Sequence, residues 1–390
     1  INYCLLCFSI FNKQYLLACT CHPPYPKRRG SYRQHLGGVM SKIKVAVFGL
    51  NQGARIARLF KENDEVELTA VAGFGQQAID VASEVGAKLY EDYNDLLANE
   101  TLDGVAIALP NSLHLSATKA CCEAGIKNIL LEKPIANTPE EGQAIIDCCN
   151  EHNATLLIGH HRRSSNLFLF LKEFLATGKL GDIIGIQSSF AIAKEKHYWD
   201  AEWHKEPEGA ILLVNAIHDL DDLNNVLNMK ATRVYAAKRN TIRGYNAEDS
   251  VSALFEFEGG ATATYFISDG TPSPWNYDLL AGENEQWAQE LGPDSMHIFG
   301  TKGSFGFPSM TFYHYPSDKD EEYGWRHPLE KEVFSVEPNN PMESEILHFI
   351  DLCAGRASTP RCTGEQGLAS LKVINATIES AKSGKIVEIR

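Results

Sequence analysis

A lysine held between a glutamate and a proline, Glu132-Lys133-Pro134, closes the apolar stretch Lys127-Asn128-Ile129-Leu130-Leu131. The proline restricts Lys133 to extended backbone and aims it out of a strand. Upstream, Val45-Ala46-Val47-Phe48-Gly49-Leu50-Asn51-Gln52-Gly53-Ala54 reads as a strand, a glycine turn and the start of a helix. Such a turn cradles a dinucleotide pyrophosphate at the carboxyl edge of a parallel sheet. A cation at that edge, beside a bound nicotinamide, polarises a substrate oxygen. The pairing points to a nicotinamide-dependent oxidoreductase acting on a hydroxyl or carbonyl carbon. The competing reading of Glu132 and Lys133 is a surface ion pair.

Other residues extend this site. The turn is an imperfect Gly-x-Gly-x-x-Gly: Asn51 holds the second glycine position and Ala54 the third. Alanine still permits close helix–strand packing, and asparagine tolerates positive φ. Gly49, Asn51, Gln52 and Gly53 are therefore cofactor candidates, with Glu132 and Lys133. The acidic residue expected on the adenosine ribose about 20 residues on is missing from Ala70-Val71-Ala72-Gly73-Phe74-Gly75. Gly73 leaves room for a 2′-phosphate, yet no basic residue follows closely, so NAD and NADP both stand. Pro110-Asn111-Ser112-Leu113-His114 follows another strand and places Pro110, Asn111 and His114 at the cofactor edge; a helix cap is the other reading of Asn111. His218 has Asn215 one turn before it and Asp221 one turn after, a polar face suited to proton relay. His160-His161-Arg162-Arg163 would line a cleft between domains, or fix the junction. Trp275 offers an aromatic wall to the C–H face of a sugar ring.

The elements around these residues change character once. From 42 to 159, strands at 44–48, 67–72, 104–109, 129–132 and 155–159 alternate with amphipathic helices at 53–61, 76–85, 113–124 and 139–152. Near-continuous Val, Ile, Leu and Ala strands suit a parallel sheet covered on both faces. The fold class is α/β, with an N-terminal Rossmann domain over 41–160, a doubly wound parallel sheet. After residue 163 come a helix at 166–177, a strand at 183–192 and a long helix at 209–227. Strands of antiparallel type follow at 231–238, 250–257, 261–268, 295–300 and 304–306. They make a second, α+β domain over 161–390. In the hairpin around Glu258-Gly259-Gly260, Val251, Ala253, Phe255 and Phe257 form one apolar face. If helices cover only that face, a partner subunit covers the other. The acidic, aromatic stretch 268–294 reads as a lid.

Composition sets the setting. The chain has 390 residues, 44% of them hydrophobic, and a net charge of −14. The first 39 residues hold five basic residues and no acid, so the acidic excess lies in the rest. That surface disfavours nucleic acid and anionic membranes and suits small neutral substrates. No run approaches the roughly 20 apolar residues of a membrane helix. Residues 1–40 read as a non-native or disordered leader, with Met40 as the start. Cys4, Cys7, Cys19, Cys21 and His22 within it could ligate zinc, a reading set below the bland one. Cys121, Cys122, Cys148, Cys149, Cys353 and Cys362 read as reduced, half-buried thiols of a cytoplasmic protein. Neighbouring pairs on one helix diverge, so no metal site is expected.

Together these motifs resemble the Gfo/Idh/MocA family of oxidoreductases. The likeness rests on the glycine turn, Pro110-Asn111-Ser112-Leu113-His114, Glu132-Lys133-Pro134, Gly159-His160-His161-Arg162-Arg163, Gly178-Lys179-Leu180-Gly181-Asp182 and Ile217-His218-Asp219. It implies NAD or NADP, a polyhydroxylated small-molecule substrate and a homodimer or homotetramer. It also implies an open antiparallel sheet that binds substrate, and a last helix at 364–383 returning to the nucleotide domain. The family's lysine acts with an aspartate and a histidine four apart. Lys133 and His218 match, but Val214 stands where the aspartate belongs, with Asn215 beside it. By this resemblance His218 moves the proton, Lys133 steadies the alkoxide, Asn215 orients substrate and Asp221 holds the imidazole. His161, Arg162 and Trp275 would contact substrate. The alternatives are an NAD-dependent glycoside hydrolase and a non-catalytic sensor of dinucleotide and sugar.

Overall fold

The computed structural model describes residues 41–390, except 285, 286, 291 and 317–323 and the side chains of 208, 225 and 226. The leader and its candidate zinc ligands lie outside the described residues. Six parallel strands follow the order β3-β2-β1-β4-β5-β6: β1 Ile43–Phe48, β2 Val66–Ala72, β3 Lys88–Tyr90, β4 Gly104–Ile107, β5 Asn128–Glu132 and β6 Thr155–Gly159. This is the strand order of dinucleotide-binding folds, with the crevice where β1 and β4 diverge. Helices α1 Gly53–Glu62, α2 Gln76–Val85, α3 Tyr93–Asn99, α4 His114–Glu123 and α5 Pro139–Glu151 cross between strands. The central strands are buried on both faces; every residue of Val45–Phe48 and Val105–Ile107 has zero exposure. Gly49 turns the chain at φ +85°, and a Cβ there would lie 2.4 Å from the Ala108 carbonyl oxygen. Only glycine lets the turn approach β4 so closely.

The second sheet has nine strands in the order β14-β13-β12-β11-β7-β10-β9-β8-β15. They are β7 Ile183–Ala191, β8 Ala231–Arg239, β9 Ser250–Phe257, β10 Thr262–Ser268, β11 Met296–Gly300, β12 Gly303–Phe307, β13 Thr311–His314, β14 Glu330–Val333 and β15 Val387–Glu388. Neighbours are antiparallel except β7 and β10. One face packs on α6 Asn166–Ala176 and on α7 Ile217–Asp221. The expected uniform helix over 209–227 is instead α7 between two π turns, Leu212–Ala216 and Asp222–Val226. Such turns recur at functional sites. Within the expected lid, α8 Tyr277–Leu280 is pinned: Asn276 and Tyr277 are buried, and Tyr277 Oη donates to Glu283 at 2.7 Å.

The chain then returns to the first core through two helices. α9 Pro341–Cys353 buries Ile346, Phe349 and Ile350 there, and α10 Gly364–Ser383 adds Leu368 and Leu371. The later turns of α10 bury Val373, Ile374 and Ala376 in the second core. One helix thus belongs to both. A capping box between Thr363 and Gln366 starts it, satisfying backbone donors that burial would otherwise orphan.

Candidate active site at the carboxyl edge of the parallel sheet

Lys133 leaves the end of β5 and directs Nζ to the backbone oxygen of Val214, 3.4 Å away. The residue that replaces the expected aspartate therefore meets the lysine through its carbonyl. Burial lowers the Lys133 pKa and the Arg162 charge adds to this; Glu132 acts in the opposite sense. One turn on from Val214, His218 packs edge-on to His161 at 4.9 Å and to His160 at 6.1 Å between ring centroids. Its Nδ1 is buried without a hydrogen-bond partner, as is Oδ1 of Asn215. Burial pushes the His218 imidazole well below its ordinary pKa, helped by the Lys133, His161 and Arg162 charges. His161 falls to about 3 for the same leading reason. Lys133, His161, Asn215 and His218 thus gather neutral nitrogens, a cation and an orphan amide oxygen at one place.

Three expected contacts go elsewhere. Arg162 is 3% exposed and bonds Asp219 at 2.5 Å, Asp222 at 3.2 Å and Asp278 at 3.1 Å. It also lies over the Tyr277 ring at 4.7 Å. It is a buried junction rather than a substrate ligand, because three carboxylates compete for it. Asp221 grips Arg163 through two 2.8 Å bonds and accepts from Ser370 at 2.6 Å. Those bonds tie α7 to α10, which replaces its expected part in holding the His218 ring. His114 has zero exposure; its Nδ1 faces the carbonyls of Pro134 and Ile135, and its Nε2 that of Leu109. It braces β4 against the Glu-Lys-Pro turn instead of meeting a cofactor.

The cofactor edge fits a dinucleotide. A cavity of about 620 Å³ opens beside the glycine turn and is lined by Asn51, Gln52 and residues along α1 and α2 as far as Arg58 and Glu84. No side chain caps α1, which leaves its first N–H groups without a side-chain acceptor. Of this turn only Gly49 takes positive φ; Asn51 does not use that freedom. Neither helix start after Pro110 uses a side-chain cap, so Asn111 does not serve as one. A Cβ on Gly73 would meet Leu50 at 3.1 Å and Ala78 at 3.2 Å. That glycine serves packing, contrary to the expected room for a 2′-phosphate.

Trp275 is 52% exposed, and its carbonyl accepts from Ala191 at the end of β7. Lys194, just beyond β7, escaped the sequence reading. Its ammonium is 3.4 Å from Asp269 and 4.2 Å above the Tyr198 ring, with 8% exposure. Nothing in Ala193-Lys194-Glu195-Lys196 sets it apart from the surface lysines nearby. The thiols of Cys122 and Cys148 and a ring nitrogen of His152 lie within 4.8 Å of one another across α4 and α5. Pairs from different helices converge where neighbours on one helix do not. A hydrogen bond with Cys149, then burial, keeps the Cys122 thiol protonated, and burial pushes Cys148 up to about 11.

Comparison with known proteins agrees with this geometry. The profile of an oxidoreductase family with an NAD-binding Rossmann fold matches residues 43–160, and that of the GFO/IDH/MocA C-terminal domain matches 168–306. An uncharacterized oxidoreductase of Streptococcus pneumoniae is 31% identical over 72% of this chain and 75% of its own length. The 1,5-anhydro-D-fructose reductase of Ensifer adhaerens is 25% identical over 79% of this chain and 86% of its own. The crystal structure of a myo-inositol 2-dehydrogenase from Lactobacillus plantarum superposes with a TM-score of 0.71 at 19% identity, covering 90% and 100% of the two chains. It shares the fold.

Proposed function

Because the chain belongs to the Gfo/Idh/MocA family of NAD(P)-dependent oxidoreductases, we propose that it moves a hydride to or from a secondary alcohol or ketone of a sugar, cyclitol or related polyol. The observation that carries this is the convergence of Lys133 with the unpartnered Asn215 Oδ1 and His218 Nδ1. Buried polar atoms seldom go unpaired, so such atoms beside a cation ask for a hydroxylated ligand. The reductase from Ensifer adhaerens acts on an anhydro sugar, in keeping with that chemistry. It also favours hydride transfer over the hydrolase and sensor readings.

When bound, the nicotinamide supplies or accepts the hydride. Glu132, Lys133, Asn51 and Gln52 and the glycines of the turn line its binding edge. His218, neutral near pH 7, takes the hydroxyl proton during oxidation and returns it during reduction. Lys133 sits where its charge lowers the energy of the developing alkoxide. Asn215 Oδ1 accepts from a neighbouring hydroxyl and orients the ring, and the half-exposed Trp275 offers a wall for the C–H face.

The protein works as a homodimer or homotetramer in the cytoplasm. The uncovered sheet face and the six free cysteines of the described residues support this. No helix among the described residues is long and apolar enough to cross a membrane. Replacing Lys133 by alanine should cut turnover by about 10²–10³-fold, the scale of a lost oxyanion donor, with cofactor affinity nearly unchanged. Steady-state rates over a panel of sugars and cyclitols, with NADH titrated separately, check both halves. Wild-type turnover in the variant would overturn the assignment.

A further inference from the structure

We propose that the substrate is a sugar acid, and that Lys194 and Arg243 hold its carboxylate while a hydroxyl-bearing carbon of the same molecule meets Lys133 and His218. This rests on the hydride-transfer reading above and names the substrate class of that site. The net charge of −14 favours neutral substrates for the chain as a whole. The charges gathered beyond the end of β7 have the opposite sign.

Two cations there share one carboxylate. Lys194 Nζ stands 3.4 Å from Asp269 Oδ2 as an ion pair, yet makes no hydrogen bond among the described residues. Arg243 Nη2 donates to the other oxygen, Oδ1, and its Nε is buried without a partner among those residues. The Lys194 side chain is 8% exposed and that of Asp269 1%. Buried cations with open donors are costly, and an acceptor brought by a ligand satisfies them. The rings beside them, Tyr198 at 4.2 Å from Lys194 and Trp199 at 3.8 Å from Arg243, supply cation–π contact but no oxygen acceptor. Asp249, the next buried carboxylate, is committed to the Ile242 amide at 2.7 Å and the Ser250 hydroxyl at 3.3 Å.

Contacts on both sides tie this group to the catalytic residues. Asp269 N donates to Asp249 O at 3.2 Å. The neighbouring Glu248 bonds the backbone of Leu212, where the π turn bearing Asn215 begins. Burial, then the Arg243 and Lys133 charges, lowers the Lys194 pKa to about 8, while Asp269 acts in the opposite sense. The two ammonium groups therefore lie close enough to repel. Two cations against one carboxylate leave a single positive charge, which a monoanionic carboxylate neutralises. A phosphate monoester, with about −1.5 to −2 charge near pH 7, exceeds it.

The test is calorimetric titration of the full chain saturated with NADH, a complex in which a hydroxylated ligand binds without turnover. The ligands are methyl uronosides and aldonates, each paired with the neutral methyl hexoside or alditol of the same configuration. In the preferred pair, wild-type protein should bind the acid at least about tenfold more tightly, the scale of one charge-assisted hydrogen bond. Lys194→Met should bring acid and neutral partner to similar affinities, and Lys194→Arg should restore most of the ratio. A lysine that only fixed the loop would weaken both ligands alike. Asp269→Asn keeps an acceptor for Arg243 and frees both cations, so it should tighten the acid about threefold or more. A wild-type ratio near one, a ratio unmoved in Lys194→Met, or tighter binding of the corresponding sugar phosphate would overturn the carboxylate reading and leave the hydride transfer standing. Binding of no member of any pair would overturn both.

Discussion

Around Lys133, some buried polar side chains have full partnership and others do not. Arg163 and Asp221 have their bonds met within the fold, whereas His218 Nδ1 and Asn215 Oδ1 do not. Glu283 belongs with the partnered groups, accepting from Ser165 at 2.5 Å and from Tyr277 at 2.7 Å. Burial outweighs those bonds and lifts its pKa to about 7. Since the unfolded chain ionises near 4.5, the folded state binds more protons between these values. Stability is therefore full below pH 4.5, declines as pH rises to about 7, and is level above, a change of order 3 kcal/mol. Glu283→Gln keeps a neutral acceptor for Ser165 and removes the titration. Its denaturation midpoint should rise relative to wild type across that window. Parallel curves would mean the carboxyl is not the titrating group.

At the scale of elements, the helix carrying His218 explains what the sequence could and could not disclose. Its position and polar face were legible from Asn215, His218 and Asp221, but uniform helical spacing assigned Asp221 to the wrong partner. The π turns and the docking of α10 decide that, and both arise from contacts distant in sequence. The Rossmann strands were legible because each is a short apolar run. β3 escaped because Lys88–Tyr90 is three residues long with an exposed lysine at its start. α9 went unread although Asn340-Pro341 marks its start, with Asn340 accepting from Met342 N and Glu343 N. Arg162 looked like a cleft residue because only the fold brings Asp278 to it. The same helix presents the Val214 carbonyl, not a carboxylate, to Lys133. With its pKa lowered, Lys133 should set an alkaline limb in the pH profile of kcat/KM below its ordinary value near 10.5. Val214→Asp would place a negative charge beside it, favour the ammonium and move that limb to higher pH. An unmoved limb would assign it to another group.

At the scale of the whole molecule, the described residues cover the nine-stranded sheet on one face only. On the hairpin, Val251, Phe255 and Phe257 point into the core while Leu254 is 44% exposed. Register carries that outer face across the sheet: Tyr235 pairs with Leu254 and Leu254 with Thr264, while Phe266 stands two residues beyond. Phe299 pairs with Ser304, and Ser304 with Tyr313, extending the face to the far strands. Tyr235, Phe266, Phe299 and Tyr313 are each at least 36% exposed. A row of large apolar side chains on a flat, uncovered sheet is characteristic of a subunit interface, not of free surface. A two-fold axis lying in the plane of such a face would bury the same residues from both copies. The wild-type chain should therefore sediment as a dimer or tetramer at micromolar concentration. Leu254→Lys combined with Phe266→Glu sets charges into the centre of that face, where desolvation without a designed partner is costly. The double variant should sediment as a folded monomer with an unchanged far-ultraviolet circular dichroism spectrum. Because Lys133, Asn215 and His218 all come from one chain, its cofactor affinity should persist. An oligomer that survives both charges would place the interface on another surface.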